Sequence, residues 1–331
     1  MENTKILAIL GPTSTGKTDL ALQLARKFQG ELISCDSRQV YKGLDIGTGK
    51  APDKFKIENL KLKIKKENGQ WIINGINIWM YDVVDPKKQY TVVDYVKDAG
   101  RVIEDVRSRG KLPIVVGGTG LYLKALLEGL PNLIVPTDKN LRKNLEKLSL
   151  EQLQDKLKEL SPERWQDLNQ SDRQNPRRLS RHIELLSMYP YMNTKEKYVG
   201  IAQRFNILKI GLSAPRHILY KRAEKKVLAR IKQGIVAEAK KVHRKGLSLT
   251  RMRELGLEYG ALADYLEGNI KDINELIKIM QGKIHGLMRR QLTWFKKELN
   301  VRWFDISKKE FPANVEKLAV KWYDRAHGTK N

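Results

Sequence analysis

Gly11-Pro12-Thr13-Ser14-Thr15-Gly16-Lys17-Thr18 sets glycines, hydroxyls and one lysine in the spacing G-x-x-x-x-G-K-T, the pattern of a loop that wraps a phosphate chain. The glycines let backbone N–H groups turn toward phosphate oxygens, and the start of the following helix adds a partial positive charge. Gly11, Thr13, Ser14, Thr15, Gly16, Lys17 and Thr18 are thus the candidate phosphate-binding residues. Lys17 would neutralise the outer phosphate, and Thr18 would offer its hydroxyl to Mg²⁺. The expected ligand is a di- or triphosphate.

A second candidate is Asp36, which ends the apolar run Glu31–Cys35. A carboxylate there stands either as a turn cap or as a general base that draws a proton from an incoming acceptor. An NTP hydrolase carries an acidic residue after a further apolar strand to hold Mg²⁺ and position water. Here the run Leu112–Val116 leads into Gly117-Gly118-Thr119-Gly120 with no carboxylate, which argues against a motor or switch ATPase. Asp82 and Asp85 read as a strand-end cap and a turn residue before Pro86. The five histidines show no metal-ligand spacing, and the single cysteine, Cys35, excludes a disulfide within the chain.

The elements that must position these residues are legible as alternating runs. Lys5–Leu10, Glu31–Cys35, Trp79–Val84, Leu112–Val116 and Phe205–Leu212 are expected strands of a parallel sheet. Leu20, Leu24 and Phe28 recur at helical spacing before Gly30, and Tyr95–Arg109 reads as a helix ending at Gly110. The alternation predicts an α/β fold with a P-loop NTPase-like parallel sheet. Leu60–Ile78 alternates around Asn68-Gly69, a hairpin signal, with Lys61, Lys63 and Lys65 on its outer face. It reads as an embellishment or as a basic arm.

Pro131–Val199 contains no glycine, and Leu141, Leu145, Leu148, Leu153, Leu157 and Leu160 follow a helical spacing. A nested all-helical insertion is expected over residues 125–204, between core segments 1–124 and 205–331. The C-terminal part reads as helices over Ile218–Gly246, Met252–Leu266 and Ile270–Leu299, and Gly328–Asn331 as disordered.

Composition points to the partner. Sixty-three Lys+Arg against 38 Asp+Glu give a net charge of +25 over 331 residues, an excess that favours polyanions such as RNA or DNA. No apolar run approaches membrane-spanning length, and residues 1–10 lack a signal-peptide pattern. A cytoplasmic location without membrane contact is expected, with a monomer as the default. Arg177, Arg178 and Arg181 lie on a predicted helix, where they form either a solvated face or a grip on phosphates. Arg289, Arg290 and Gln291 stand beside Trp294, a basic patch with an aromatic.

Five blocks then carry a resemblance: Asp36-Ser37-Arg38-Gln39-Val40-Tyr41, Gly47-Thr48-Gly49-Lys50, Gly117-Gly118-Thr119-Gly120-Leu121-Tyr122, Asn175-Pro176-Arg177-Arg178-Leu179-Ser180-Arg181 and Arg289-Arg290-Gln291-Leu292-Thr293-Trp294-Phe295. Together with the P-loop, and in this order, they resemble the tRNA dimethylallyltransferase (tRNA isopentenyltransferase) family, bacterial type. The resemblance implies transfer of a dimethylallyl group from dimethylallyl diphosphate to N6 of the adenosine 3′-adjacent to the anticodon, with Mg²⁺ assisting.

It further implies Asp36 as general base, Thr119 facing the reacting centre and Arg216 near the diphosphate. Ser37, Arg38, Gln39, Arg177, Arg178, Leu179, Ser180, Arg181, Arg290 and Gln291 would contact the tRNA anticodon stem-loop. The sequence departs from the family at Ala51, Asn175, Leu257 and His285. Rival readings are a prenyltransferase acting on free nucleotides, a nucleotide kinase, and a silent RNA-binding protein.

Overall fold

The computed structural model describes residues 5–51, 63–133, 135–188 and 200–324. Leu60 and Lys61, at the start of the expected hairpin, and Gly328–Asn331 lie outside the described residues. The chain divides into two compact units, Met1–Glu128 with Gly200–Asn331, and Gly129–Val199.

The larger unit is built on one eight-stranded sheet. Its strands are β1 (Lys5–Leu10), β2 (Glu31–Cys35), β3 (Ile64–Glu67), β4 (Gln70–Ile73), β5 (Ile76–Trp79), β6 (Pro113–Gly117), β7 (Asn206–Ser213) and β8 (Val301–Asp305). Across the sheet the order is β3-β4-β5-β2-β6-β1-β7-β8. The run from β5 to β8 is parallel, and β3 and β4 add antiparallel to one edge. β1 is buried at every position, as expected of a central strand covered on both faces.

In the larger unit, α1 (Lys17–Phe28), α2 (Val92–Ser108) and α3 (Gly120–Leu127) follow β1, β5 and β6. The smaller unit is all helical: α4 (Lys139–Leu145), α5 (Leu150–Leu160), α6 (Pro162–Asp167), α7 (Gln170–Arg173) and α8 (Pro176–Met188). Leu145, Leu153, Leu157, Leu168, Leu179 and Ile183 form its core. The larger unit resumes with α9 (Arg216–Lys232), α10 (Ile235–Arg244), α11 (Leu249–Leu255), α12 (Leu257–Glu267), α13 (Ile273–Phe295) and α14 (Phe311–Asp324).

Several expectations are corrected. The third core strand is Ile76–Trp79 rather than Trp79–Val84, because Met80 and Asp82 take left-handed backbone angles (φ 67° and 55°) that end the extended run. Asp82 is also not a simple cap. It accepts a hydrogen bond from Lys50 Nζ at 2.6 Å, and that ammonium is fully buried and bonds Asp45 and the Tyr41 carbonyl as well.

The Asn68-Gly69 turn forms a hairpin, as expected, and its strands extend the main sheet through β5. Gly234 (φ 91°) splits the first expected C-terminal helix into α9 and α10, and Gly256 (φ 69°) separates α11 from α12. β8 (Val301–Asp305) lies just past the expected helix Ile270–Leu299, in a stretch for which no strand is expected. Its apolar residues gain an edge position beside β7, a pairing invisible to local pattern.

Candidate active site

Leu10, Cys35, Gly117 and Gly211 are neighbours in one row across β1, β2, β6 and β7. The four strands are parallel, so the loops that follow them leave the sheet from its carboxyl edge, where α/β folds place ligands. The P-loop, the Asp36 turn, the Thr119 turn and the start of α9 are these four segments.

The P-loop conformation follows from its residues. Gly11 has φ 141°, and a methyl group there would stand 2.3 Å from the Leu212 carbonyl oxygen of β7, so only glycine fits. Gly16 (φ 84°) turns the chain into α1, whose N-terminus has no side-chain cap, leaving the amides of its first turn available to an anion. Thr15 Oγ1 donates to the Pro12 carbonyl at 2.9 Å, and Lys17 Nζ donates to the same oxygen at 2.8 Å. Ser14 Oγ is buried with no hydrogen-bond partner among the described residues, a polar atom that a phosphate oxygen would satisfy. Burial pushes the Lys17 ammonium down to about 7, with Lys226 acting the same way and Asp36 opposing. Asp36 is therefore close enough to the P-loop lysine for its charge to be felt there.

On the acceptor side, Asp36 Oδ1 accepts the Arg38 N–H at 2.9 Å, and Arg38 Nε donates to the Leu255 carbonyl at 2.7 Å. Thr119 Oγ1 accepts the Ser37 N–H at 3.0 Å. Burial pushes the Cys35 thiol up to about 12, so it stays protonated beneath this turn. Asp36, Ser37, Arg38 and Thr119 remain half-exposed.

Other expected site residues are placed differently. Gln39 points inward: its Oε1 accepts from Ser34 Oγ at 2.7 Å and its Nε2 donates to the carbonyls of Thr48 and Gly49 at 3.3 Å. Leu179 is fully buried in the core of the helical unit, which removes its side chain from RNA contact. Arg181 bonds Glu184 and the carbonyls of Asn132 and Val135, the latter two at 3.0 Å, so it ties the unit's entry segment to α8. Arg177 and Arg178 are exposed, with Arg178 paired to Asp172. Ser180 is half-exposed and Arg290 exposed. Gln291 gives both ends of its amide to backbone groups of Thr13 and Gly118.

Arg216, at the first position of α9, is exposed. Two turns on, Arg222 Nη2 lies 3.6 Å from where a Gly16 methyl would be, and Lys226 reaches Lys17 electrostatically. Arg222 and Lys226 are thus the α9 cations that face the phosphate loop. Their i, i+4 spacing was the available signal. Sequence reasoning also missed Glu238, whose carboxylate accepts the N–H groups of Asp45, Ile46 and Gly47 and so shapes the loop that holds Gln39.

A P-loop beside a carboxylate would suit a kinase as well, and the comparison with known proteins decides between them. The model of IPP transferases matches residues 39–298, and that of isopentenyl transferases matches residues 4–65. The chain belongs to the IPP transferase family. Among curated members, the tRNA dimethylallyltransferase of Halothermothrix orenii is 34% identical over 332 residues, covering 96% of this chain and 93% of its own. The tRNA dimethylallyltransferase 2 of Treponema denticola is 38% identical, over 88% and 91% of the two chains.

Solved structures of the family agree in fold. The tRNA isopentenylpyrophosphate transferase of Bacillus halodurans superposes with a TM-score of 0.66 at 28% identity, over 98% of both chains. A eukaryotic dimethylallyltransferase acting on tRNA gives a TM-score of 0.76 at 23% identity, over 99% of this chain and 81% of its own.

Proposed function

We infer that this IPP transferase family member moves a dimethylallyl group from dimethylallyl diphosphate to N6 of the adenosine 3′-adjacent to the anticodon in tRNA, releasing diphosphate. The observation that carries the reading is the juxtaposition of a P-loop lysine with Asp36 and Thr119 at one sheet edge. One half of the site suits a leaving diphosphate, the other an incoming nucleophile.

The exocyclic amino group of adenine is a weak nucleophile because its lone pair is delocalised into the ring. As its nitrogen bonds the allylic carbon, Asp36 takes the proton, while the bonding pair of the breaking C–O bond leaves with the diphosphate. Loop amides, Lys17 and the guanidinium of Arg222 meet the charge that develops there. Asp36 spends Oδ1 on the Arg38 amide, which orients the carboxylate and leaves its second oxygen for the proton. Reaching the base requires taking it out of its stack, which an anticodon loop permits at modest cost. Exposed Arg177, Arg178 and Arg290 supply sequence-independent phosphate contacts.

The donor set fits a magnesium ion held largely by substrate. Thr18 offers one hard oxygen at the start of α1, and among the described residues no cluster of three His, Cys, Asp or Glu is arranged for a metal. Diphosphate oxygens and water would complete the shell, and the bound ion would supply charge neutralisation for the leaving group. Among the described residues no helix is long and apolar enough to cross a membrane.

The test is direct. Purified protein is incubated with labelled dimethylallyl diphosphate and either unmodified tRNA or AMP. Label in the anticodon loop of tRNA alone is the expected result. Label in AMP alone would replace the acceptor, and label in neither would overturn the assignment.

A further inference from the structure

One side chain of α13 reaches two loops of the site. Gln291 Oε1 accepts the Thr13 N–H at 2.9 Å, and Gln291 Nε2 donates to the Gly118 carbonyl at 2.9 Å. Thr13 belongs to the P-loop, and Gly118 begins the turn that presents Thr119. One helical turn on, Trp294 covers the same turn, where a methyl on Gly120 would stand 2.2 Å from the indole Cδ1. Positions 291 and 294 share a helix face, so one face of α13 closes over both loops.

The sheet explains why such a clasp is needed. β1 and β6 are hydrogen-bonded neighbours with Leu10 opposite Gly117. Beyond that pair the strands end, and no ladder fixes the separation of the loops that follow. The Gln291 carboxamide presents one acceptor and one donor in a plane, as a peptide group does, and joins Thr13, three residues past Leu10, to Gly118, one residue past Gly117. A methyl on Gly118 would stand 2.6 Å from Gln291 Nε2, so the amide would have to move to admit one. Arg289 and Arg290, next in the chain, are exposed, so the cationic neighbours and the inward amide serve different surfaces of α13.

We propose that Gln291 is a positioning residue for the transfer: it sets the distance between the diphosphate loop and the Thr119 turn, and its amide is not read by RNA. The inference rests on the P-loop holding the diphosphate. Reacting groups displaced by about an ångström lose roughly a hundredfold in rate, so a loosened clasp acts on turnover as well as on diphosphate binding.

Gln291→Met keeps chain length and removes both hydrogen bonds. Three measurements follow: inorganic diphosphate affinity by calorimetry without tRNA, tRNA affinity across a salt series, and kcat and KM for dimethylallyl diphosphate. The expected result is diphosphate affinity about tenfold weaker and kcat reduced at saturation, with tRNA affinity and salt slope as in the parent. Gly118→Ala disturbs the same contact from the other side and should give the same pattern, and the double variant should fall well short of the sum. Unchanged diphosphate binding with weakened tRNA binding would assign the amide to RNA and overturn the proposal. A lowered melting temperature with every constant intact would reduce Gln291 to packing. A parent protein that transfers no label would count against the proposed function instead, while the diphosphate arm would still report on Gln291.

Discussion

Thr119 is hydrogen-bonded to the chain on both sides of Asp36. Its hydroxyl accepts the Ser37 N–H at 3.0 Å, and its own N–H donates to the Cys35 carbonyl at 3.2 Å. The two contacts bracket Asp36 and hold its backbone in place relative to Thr119. Thr119→Val keeps the branched shape but leaves the Ser37 N–H without its acceptor. Single-turnover transfer should fall by roughly a hundredfold, and stability by about 1 kcal/mol. Thr119→Ser, which retains the acceptor, should recover most of the rate. If serine and valine prove equally slow, the hydroxyl's hydrogen bond is not what matters.

Asp36→Asn keeps an oxygen for the Arg38 amide but cannot take up the amino proton. Single-turnover transfer should drop by about 10²- to 10⁴-fold, with tRNA and diphosphate affinities unchanged. A rate close to the parent's would remove Asp36 from proton transfer and leave it a turn cap.

Lys17 gives the site a pH dependence whose sign follows from its burial. Free Lys17 loses its proton near pH 7, while a bound diphosphate, being anionic, holds that proton on. Binding above this pH therefore takes up a proton. Diphosphate affinity should be flat below about pH 7 and then decline toward tenfold per pH unit, beyond the ligand's own titration. Lys17→Met should bind more weakly throughout and lack this extra decline. Calorimetry in buffers of different ionisation enthalpy measures the uptake, and a pH-independent parent would contradict the assignment.

The arginines of the helical unit should separate into two classes. Arg177→Ala and Arg178→Ala each remove an exposed cation, so tRNA affinity should fall alike for all tRNAs and the salt slope should shrink by about 0.9 per contact. Arg181→Ala should instead loosen the unit, because it strips one partner from the fully buried Glu184 carboxylate. Glu184 keeps Arg142 and the Asp138 N–H, so the cost is about 1.5 kcal/mol, visible as faster amide exchange in α4 and α8. Arg178→Ala binding like the parent at every salt concentration would leave that residue on a solvated face.

Much of the site was legible because its signals are local. The P-loop is a short pattern of glycines whose backbone requirements hold wherever the loop sits, and it was bounded correctly by a strand and a helix. Asp36 follows an apolar run directly and Thr119 follows one after two glycines, so their address at the carboxyl edge came with the strands. The leucine spacing in the glycine-free stretch likewise gave helices without knowledge of any partner.

Facing was decided by tertiary structure. Arg216 and Arg222 lie on one helix, and only the packing of α9 turns Arg222 toward Gly16 while leaving Arg216 exposed. Arg181 and Gln291 sit in polar, charged blocks that read as RNA contacts, yet Gln291 meets backbone groups far along the chain, and Arg181 meets such groups besides Glu184. β8 acquires its pairing from β7, nearly a hundred positions earlier. A sequence determines which side chains can donate, accept or carry charge, and where the backbone can turn. Which of those groups meets solvent and which meets another segment depends on contacts between distant residues, and no local periodicity encodes them.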